Sequence, residues 1–177
     1  AIRSKTGVHM RLEYPLITIE QGKDLEVAVV ALLKERGLTV TTAESCTGGL
    51  IAGRLVNVPG ASDVFGRGFV TYANEAKIEE LGVKPMTLQK HGAVSRQTVK
   101  QMAKGAAIHG KADVAIAVTG LAGPDGGTPE KPVGLVYIGL YYQDKVYWQE
   151  CHFQGTRAQI RELTVVNSLQ LLQNVIQ

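Results

Sequence analysis

A serine, a lysine and a tyrosine carry most of the chemistry legible in this chain of 177 residues. Ser45 stands in the run Thr41-Thr42-Ala43-Glu44-Ser45-Cys46-Thr47-Gly48-Gly49-Leu50. The residues before it, Leu38 to Thr42, are rich in β-branched side chains, and Leu50, Ile51, Leu55 and Val56 recur at helical spacing after it. Strand, tight turn and helix together lift one side chain to the end of a sheet and aim backbone N–H groups at whatever binds there. A serine nucleophile in that place would make the chain a hydrolase, but it needs a base. None of His9, His91, His109 and His152 stands in a suggestive position. A lysine can serve when burial depresses its pKa, because the neutral amine is then populated near pH 7. Lys77 is the candidate. It follows Thr71-Tyr72-Ala73-Asn74 at the start of a short helix, where the positive end of the dipole opposes its charged form. Tyr72, at the end of a strand, could relay or orient a proton.

Plainer readings stand beside these. A serine at a strand-to-helix junction is ordinarily an N-cap, a helical lysine is ordinarily solvated, and Tyr72 could simply pack at a sheet edge. Cys46 is a rival nucleophile, since a helix N-terminus lowers a thiol pKa, and otherwise a small packing residue. Glu44 and Asp125 suggest paired carboxylates, yet their spacing does not demand it, and Glu44 is expected to bond neighbouring backbone. A second glycine-rich loop, Thr119-Gly120-Leu121-Ala122-Gly123-Pro124-Asp125-Gly126-Gly127, follows another apolar run. Two such loops at the carboxyl ends of strands would line the ligand crevice of an open α/β sheet. Neither matches GxGxxG or GxxxxGK[ST].

The elements that must position these residues read as follows. Leu25, Ala28, Val29, Leu32 and Leu33 recur at helical spacing, with Asp24 as N-cap and Gly37 closing the helix in the left-handed conformation. A strand over Leu38–Thr42 leads into the turn and a helix to about Asn57. Val64 to Ala73 reads as a second strand, Asn74 as the N-cap of a helix over Glu75–Leu81 closed by Gly82, and Ser95 as the cap of another helix. Ala112 to Val118 is a continuous apolar run, the mark of a strand covered on both faces. Gly134–Tyr142 and Val146–Phe153 form a hairpin through Gln143-Asp144-Lys145, and a closing helix starts at Thr156. The pattern predicts an α/β fold: a three-layer α/β/α sandwich with a mixed, mostly parallel sheet and a C-terminal β-hairpin. Residues 1–22 read as a linker or cloning remnant, with the first ten left out of the fold, and residues 23–177 as the domain.

Composition narrows the function classes. Apolar content of 45% and charged content of 20% are those of an ordinary globular protein. A formal charge of +3, with scattered Lys and Arg, argues against direct nucleic-acid contact. Two cysteines, Cys46 and Cys151, give no disulfide framework or zinc spacing, and the isolated histidines predict no protein-built metal site. No apolar run approaches the roughly 20 residues of a membrane span. A cytoplasmic location is expected.

Five ordered motifs resemble one family: Thr42-Ala43-Glu44-Ser45-Cys46-Thr47-Gly48-Gly49, Tyr72-Ala73-Asn74-Glu75-Ala76-Lys77, Gly92-Ala93-Val94-Ser95, Ala117-Val118-Thr119-Gly120-Leu121-Ala122-Gly123-Pro124 and Lys131-Pro132-Val133-Gly134. Over about residues 24–177 the chain is similar to the CinA C-terminal domain, the family that includes nicotinamide-nucleotide amidase. That resemblance implies a deamidase converting nicotinamide mononucleotide and water into nicotinate mononucleotide and ammonia, with no cofactor and a homodimeric assembly. By position, Ser45 matches the family's nucleophile, Lys77 its general base, Tyr72 the accompanying tyrosine and Thr119 an active-site residue. Backbone N–H groups around Cys46, Thr47 and Gly48 are expected to hold an oxyanion. Gly120, the Gly123–Gly127 loop and Arg157 are expected to meet the substrate and its phosphate. The run Gly155-Thr156-Arg157 departs from the Gly-Asp-Arg expected there. Two other readings are a nucleotide-binding module without catalysis and a scaffold for DNA-uptake or repair proteins, the latter suggested only by the competence association of the family name. The expected interface for a dimer is the closing helix or the Val146–Phe153 strand.

Overall fold

A computed structural model describes residues 8–177. In chain order these form β1 (Val8–Arg11), α1 (Leu25–Arg36), β2 (Val40–Glu44), α2 (Leu50–Val56), a single 3-10 turn (Ala61–Asp63), β3 (Phe69–Val70), α3 (Asn74–Leu81), α4 (Pro85–His91), α5 (Arg96–Gly110), β4 (Val114–Gly120), β5 (Leu135–Tyr142), β6 (Lys145–His152) and α6 (Arg157–Ile176). The strands make one sheet in the order β1-β6-β5-β4-β2-β3. β4, β2 and β3 run parallel, β5 is antiparallel to both β4 and β6, and β1 lies parallel to β6. Helices cover both faces, so the expected three-layer α/β/α sandwich with a mixed, mostly parallel sheet and a closing hairpin is the fold found.

The pleat of β4 divides the core. Val114, Ile116 and Val118 enter one apolar cluster with residues of α1, α2 and α6, while Ala115 and Ala117 enter the other with α5. Small residues face α5 because its backbone comes close. A Cβ on Gly139 of β5 would lie 3.0 Å from Val99 O. Both β2 and β4 are buried along nearly their whole length, and their carboxyl ends stop side by side at Glu44 and Gly120. The two glycine-rich loops leave from there.

Several local expectations need correction. The stretch Val64–Ala73 forms a strand only over Phe69–Val70, beyond an isolated bridge from Phe65 to Val40, because Gly66, Arg67 and Gly68 interrupt it and Gly68 lies against the Thr42 side chain. Asp24 caps nothing with its side chain; it sits at φ 62° and α1 begins without a side-chain cap, whereas Gly37 closes the helix as expected. Asn74 is already helical and Ala73 takes the N-cap position of α3. Ser95 does cap α5, accepting from the Thr98 N–H. Helix α4 was not anticipated; Pro85 starts it, where a missing N–H costs nothing. The hairpin turn is two residues, Gln143 and Asp144, both at positive φ, and Lys145 already belongs to β6.

The segment expected to lie outside the fold is part of it over residues 8–22. β1 pairs with β6, Gln149 exchanges hydrogen bonds with the Tyr14 backbone, and Asn167 does the same with Ile17. Short polar-apolar stretches without a clean period gave no sign of this, because the partners are more than a hundred residues away. The part of that expectation falling on residues 1–7 lies outside the described residues. β1 takes the outer edge of β6, and the apolar side of α6 packs into the core.

Candidate catalytic site

Ser45 follows the last residue of β2, and its N–H is held by Val118 O of β4. The chain then turns through Gly48 at φ 57° and Gly49 at φ 105°, left-handed values that favour glycine, into α2. Glu44 locks this turn. Its fully buried carboxylate accepts from Thr47 Oγ1 at 2.6 Å and from the N–H groups of Ile51 and Ala52 at 2.9 and 3.0 Å. It therefore neutralises the first turn of a helix that has no side-chain cap of its own. Ser45 is thus free of the capping role that its position suggested.

Lys77, in the first turn of α3, is completely buried. Its Nζ lies 3.1 Å from Ser45 Oγ, 2.7 Å from Thr71 O and 3.1 Å from Tyr72 O. All three partners are uncharged oxygens, so burial goes uncompensated by any bonded carboxylate and lowers the lysine pKa from its ordinary value. A neutral amine has two N–H donors and one lone pair. Two carbonyls accept the donors here, and the lone pair is left to the Ser45 hydroxyl. The arrangement suits the uncharged base as well as it suits the ammonium.

Ser45, Cys46, Tyr72, Lys77, Ala93, Thr119, Gly120, Gly123, Asp125 and Arg157 line a cavity of about 250 Å³ at the carboxyl ends of β2 and β4. Burial pushes the Cys46 thiol up to about 12, so it is protonated at neutral pH and poorly suited to attack. Thr119 donates its hydroxyl to Ala93 O, tying the second glycine loop to the α4–α5 connection. The Tyr72 ring is exposed; its hydroxyl meets Arg157 Nη2 at 3.4 Å, and only its backbone carbonyl touches Lys77. Asp125 sits on the exposed rim and Glu44 is consumed by α2, so the two do not form paired carboxylates. A larger hollow of about 510 Å³ along α5 is lined by Lys84, Lys100 and His109 and by no hydroxyl, thiol or carboxylate side chain.

Residues 22–176 match the family model for the CinA C-terminal domain. The chain belongs to the CinA family. A competence-damage inducible protein of Acetivibrio thermocellus is 49% identical over 166 residues, 94% of this chain and 40% of that protein. Another, of Caldicellulosiruptor bescii, is 53% identical over 152 residues, 86% of this chain and 37% of the relative. This CinA domain thus spans about two-fifths of the length of those curated relatives. Among solved structures, the competence/damage inducible protein CihA of Agrobacterium tumefaciens superposes with a TM-score of 0.85 at 45% identity, covering 94% of this chain and all of that one. A CinA superfamily protein of Escherichia coli superposes with a TM-score of 0.87 at 34% identity, covering 92% and 94%.

The fold brings Ser45, Cys46, Tyr72, Lys77, Thr119, Gly120, Gly123 and Arg157 around one cavity, while Thr47 and Gly48 stand behind it in the turn. Arg161 reaches the Ser45 turn from α6. Its Nε donates to Cys46 O at 2.9 Å and its Nη2 to Thr47 O at 3.2 Å. Arg157, one turn earlier, donates to Gly123 O at 2.8 Å. The signal was the spacing: residues i and i+4 of a helix share a face. In place of the expected aspartate, Thr156 caps α6 through a full capping box with Gln159.

Proposed function

We propose that this domain is an amidase acting on nicotinamide mononucleotide, with Ser45 as nucleophile and Lys77 as base. The 3.1 Å contact between a fully buried, uncharged-prone amine and a serine hydroxyl at a strand end is the observation that carries the reading. The Lys77 lone pair accepts the Ser45 proton as Oγ attacks the carboxamide carbon. Ser45 O is bonded to Gly48 N–H, and among the described residues the N–H groups of Cys46 and Thr47 have no backbone acceptor. Cys46 lines the cavity, and its N–H takes the developing oxyanion; one such donor is typically worth about 3 kcal/mol. The C–N bond then breaks, Lys77 returns the proton to departing ammonia, and an ester of Ser45 with the nicotinate carboxyl remains. Water, deprotonated by Lys77, hydrolyses that ester and restores the serine. Arg157, at the rim beside Tyr72 and the Gly123 loop, supplies donors for the nucleotide phosphate.

The test is ammonia release from nicotinamide mononucleotide by the wild type, Ser45→Ala and Cys46→Ala. Turnover is expected to vanish in Ser45→Ala and to persist in Cys46→Ala. Undiminished turnover in Ser45→Ala excludes Ser45 as nucleophile, and tight binding by the wild type without hydrolysis favours a binding module instead.

A further inference from the structure

Between Glu80 and Asp113 the chain has no carboxylate side chain, yet it carries Lys84, Lys90, Arg96, Lys100, Lys104 and Lys111. Apart from His9, that stretch supplies all the described lining of the hollow of about 510 Å³ along α5. Lys100 and Lys104 stand four residues apart on α5, about 6 Å along its axis, and Arg96 precedes them by the same step. Like charges at that spacing repel each other and destabilise a helix, and α5 has no acidic side chain to offset them. Among the described residues the ammonium groups of Lys84 and Lys100 make no hydrogen bond or ion pair. Lys100 is half-buried, and its burial, followed by the neighbouring Arg96 charge, lowers its pKa from the ordinary value. A partly dried cation without a partner is stabilised by an anion that brings its own oxygens.

The walls of the hollow are held in place. Gln101 accepts from the Lys84 N–H at 2.9 Å and donates to Thr87 Oγ1 at 2.8 Å, tying the start of α4 to α5. Gly105 lets the α5 backbone close on Leu81 O, and a Cβ on Gly82 would lie 3.7 Å from His109 Nε2. The volume falls within the range of small-molecule sites, about 300–1,000 Å³. Cations spaced along one helix and across to the start of another are met together by a chain of phosphates better than by a single one. We propose that the hollow between α3, α4 and α5 binds a compact oligophosphate anion, free or carried on a nucleoside, through Lys84, Lys100 and Lys104, with His109 as a further N–H donor. The site shares no lining residue with the Ser45 cavity, and it stands whether or not the domain hydrolyses an amide.

Calorimetric titration of the full chain with tripolyphosphate and with ATP, in phosphate-free buffer at fixed salt, tests it. One equivalent is expected to bind, at least about tenfold more weakly in Lys84→Gln and in Lys100→Gln. Binding should be unchanged in Lys23→Gln, which removes the same charge from an exposed position beside α1, on the other face of the sheet. Amide NMR shifts on titration should centre on Leu81, Gly82 and Gly105, and the same spectra report whether each variant is folded. Tighter binding of ATP assigns the nucleoside-borne form, and equal or tighter binding of tripolyphosphate assigns the bare phosphate chain. No binding of either anion overturns the proposal, as does undiminished binding in Lys84→Gln or Lys100→Gln, or an equal loss in Lys23→Gln. Shifts confined to the Ser45 cavity overturn it too. So does a single-stranded DNA oligonucleotide that displaces ATP at lower concentration, which would make this surface a nucleic-acid face.

Discussion

Lys77 exchanges water for three neutral oxygens, and its behaviour with pH follows from that exchange. The base form is populated above the depressed pKa, so kcat/KM is expected to climb through that value, at a pH below the ordinary lysine value of 10.5. Stability moves the same way. Between the depressed value and 10.5 the unfolded chain binds the proton that the folded chain has released, so stability rises with pH across that window. Lys77→Met should lose turnover by about a thousandfold. Its stability, followed by denaturant unfolding from pH 7 to 10, should lack the wild-type rise; an identical rise in the variant would show that Lys77 is not the titrating group. Much of this was legible in advance, since Ser45 and Lys77 were identified by residue type and local context. The partners of Lys77 were not, because backbone carbonyls leave no trace in side-chain identity.

Helix α3 holds Lys77 in place through a close crossing with α5. A Cβ on Gly105 would lie 1.8 Å from Leu81 O, at the far end of α3 from the lysine. Gly105→Ala must therefore push α3 away, and is expected to cost about 2 kcal/mol or more of stability. Because the displaced helix carries Lys77, the proposed base, kcat should fall further than the loss of folded protein explains, measured at a temperature where both forms are folded. Unchanged kcat would show that α3 yields only at its C-terminal end. Gly105 gave no sign of this in the sequence, where a glycine amid Ala103, Lys104, Ala106 and Ala107 reads as an ordinary helical residue. Periodicity located α1, α5 and α6 well, since each is long and carries a sustained apolar face. It placed α4 nowhere, because seven residues with one buried leucine give too little pattern.

At the scale of the whole molecule, the sheet reaches its outer edge through a strand from the very start of the described chain. Arg11 at its end stacks over Trp148 at 5.2 Å, and Leu12 N–H bonds Trp148 O. A chain beginning at Leu12 should melt at a lower temperature and self-associate through the uncovered edge of β6, seen by sedimentation. Under the amidase proposal, its turnover at low temperature should equal that of the chain beginning at Ala1, since the cavity of Ser45 and Lys77 lies at the ends of β2 and β4. Equal melting temperatures would show that β1 adds nothing to the sheet. The cavity itself has walls drawn from distant parts of the chain, and the opening turns of α6 fasten two of them, Arg157 to the Gly123 loop and Arg161 to the Ser45 turn. One rod thus pins both jaws. Neither can swing alone without breaking its tie to the same rod.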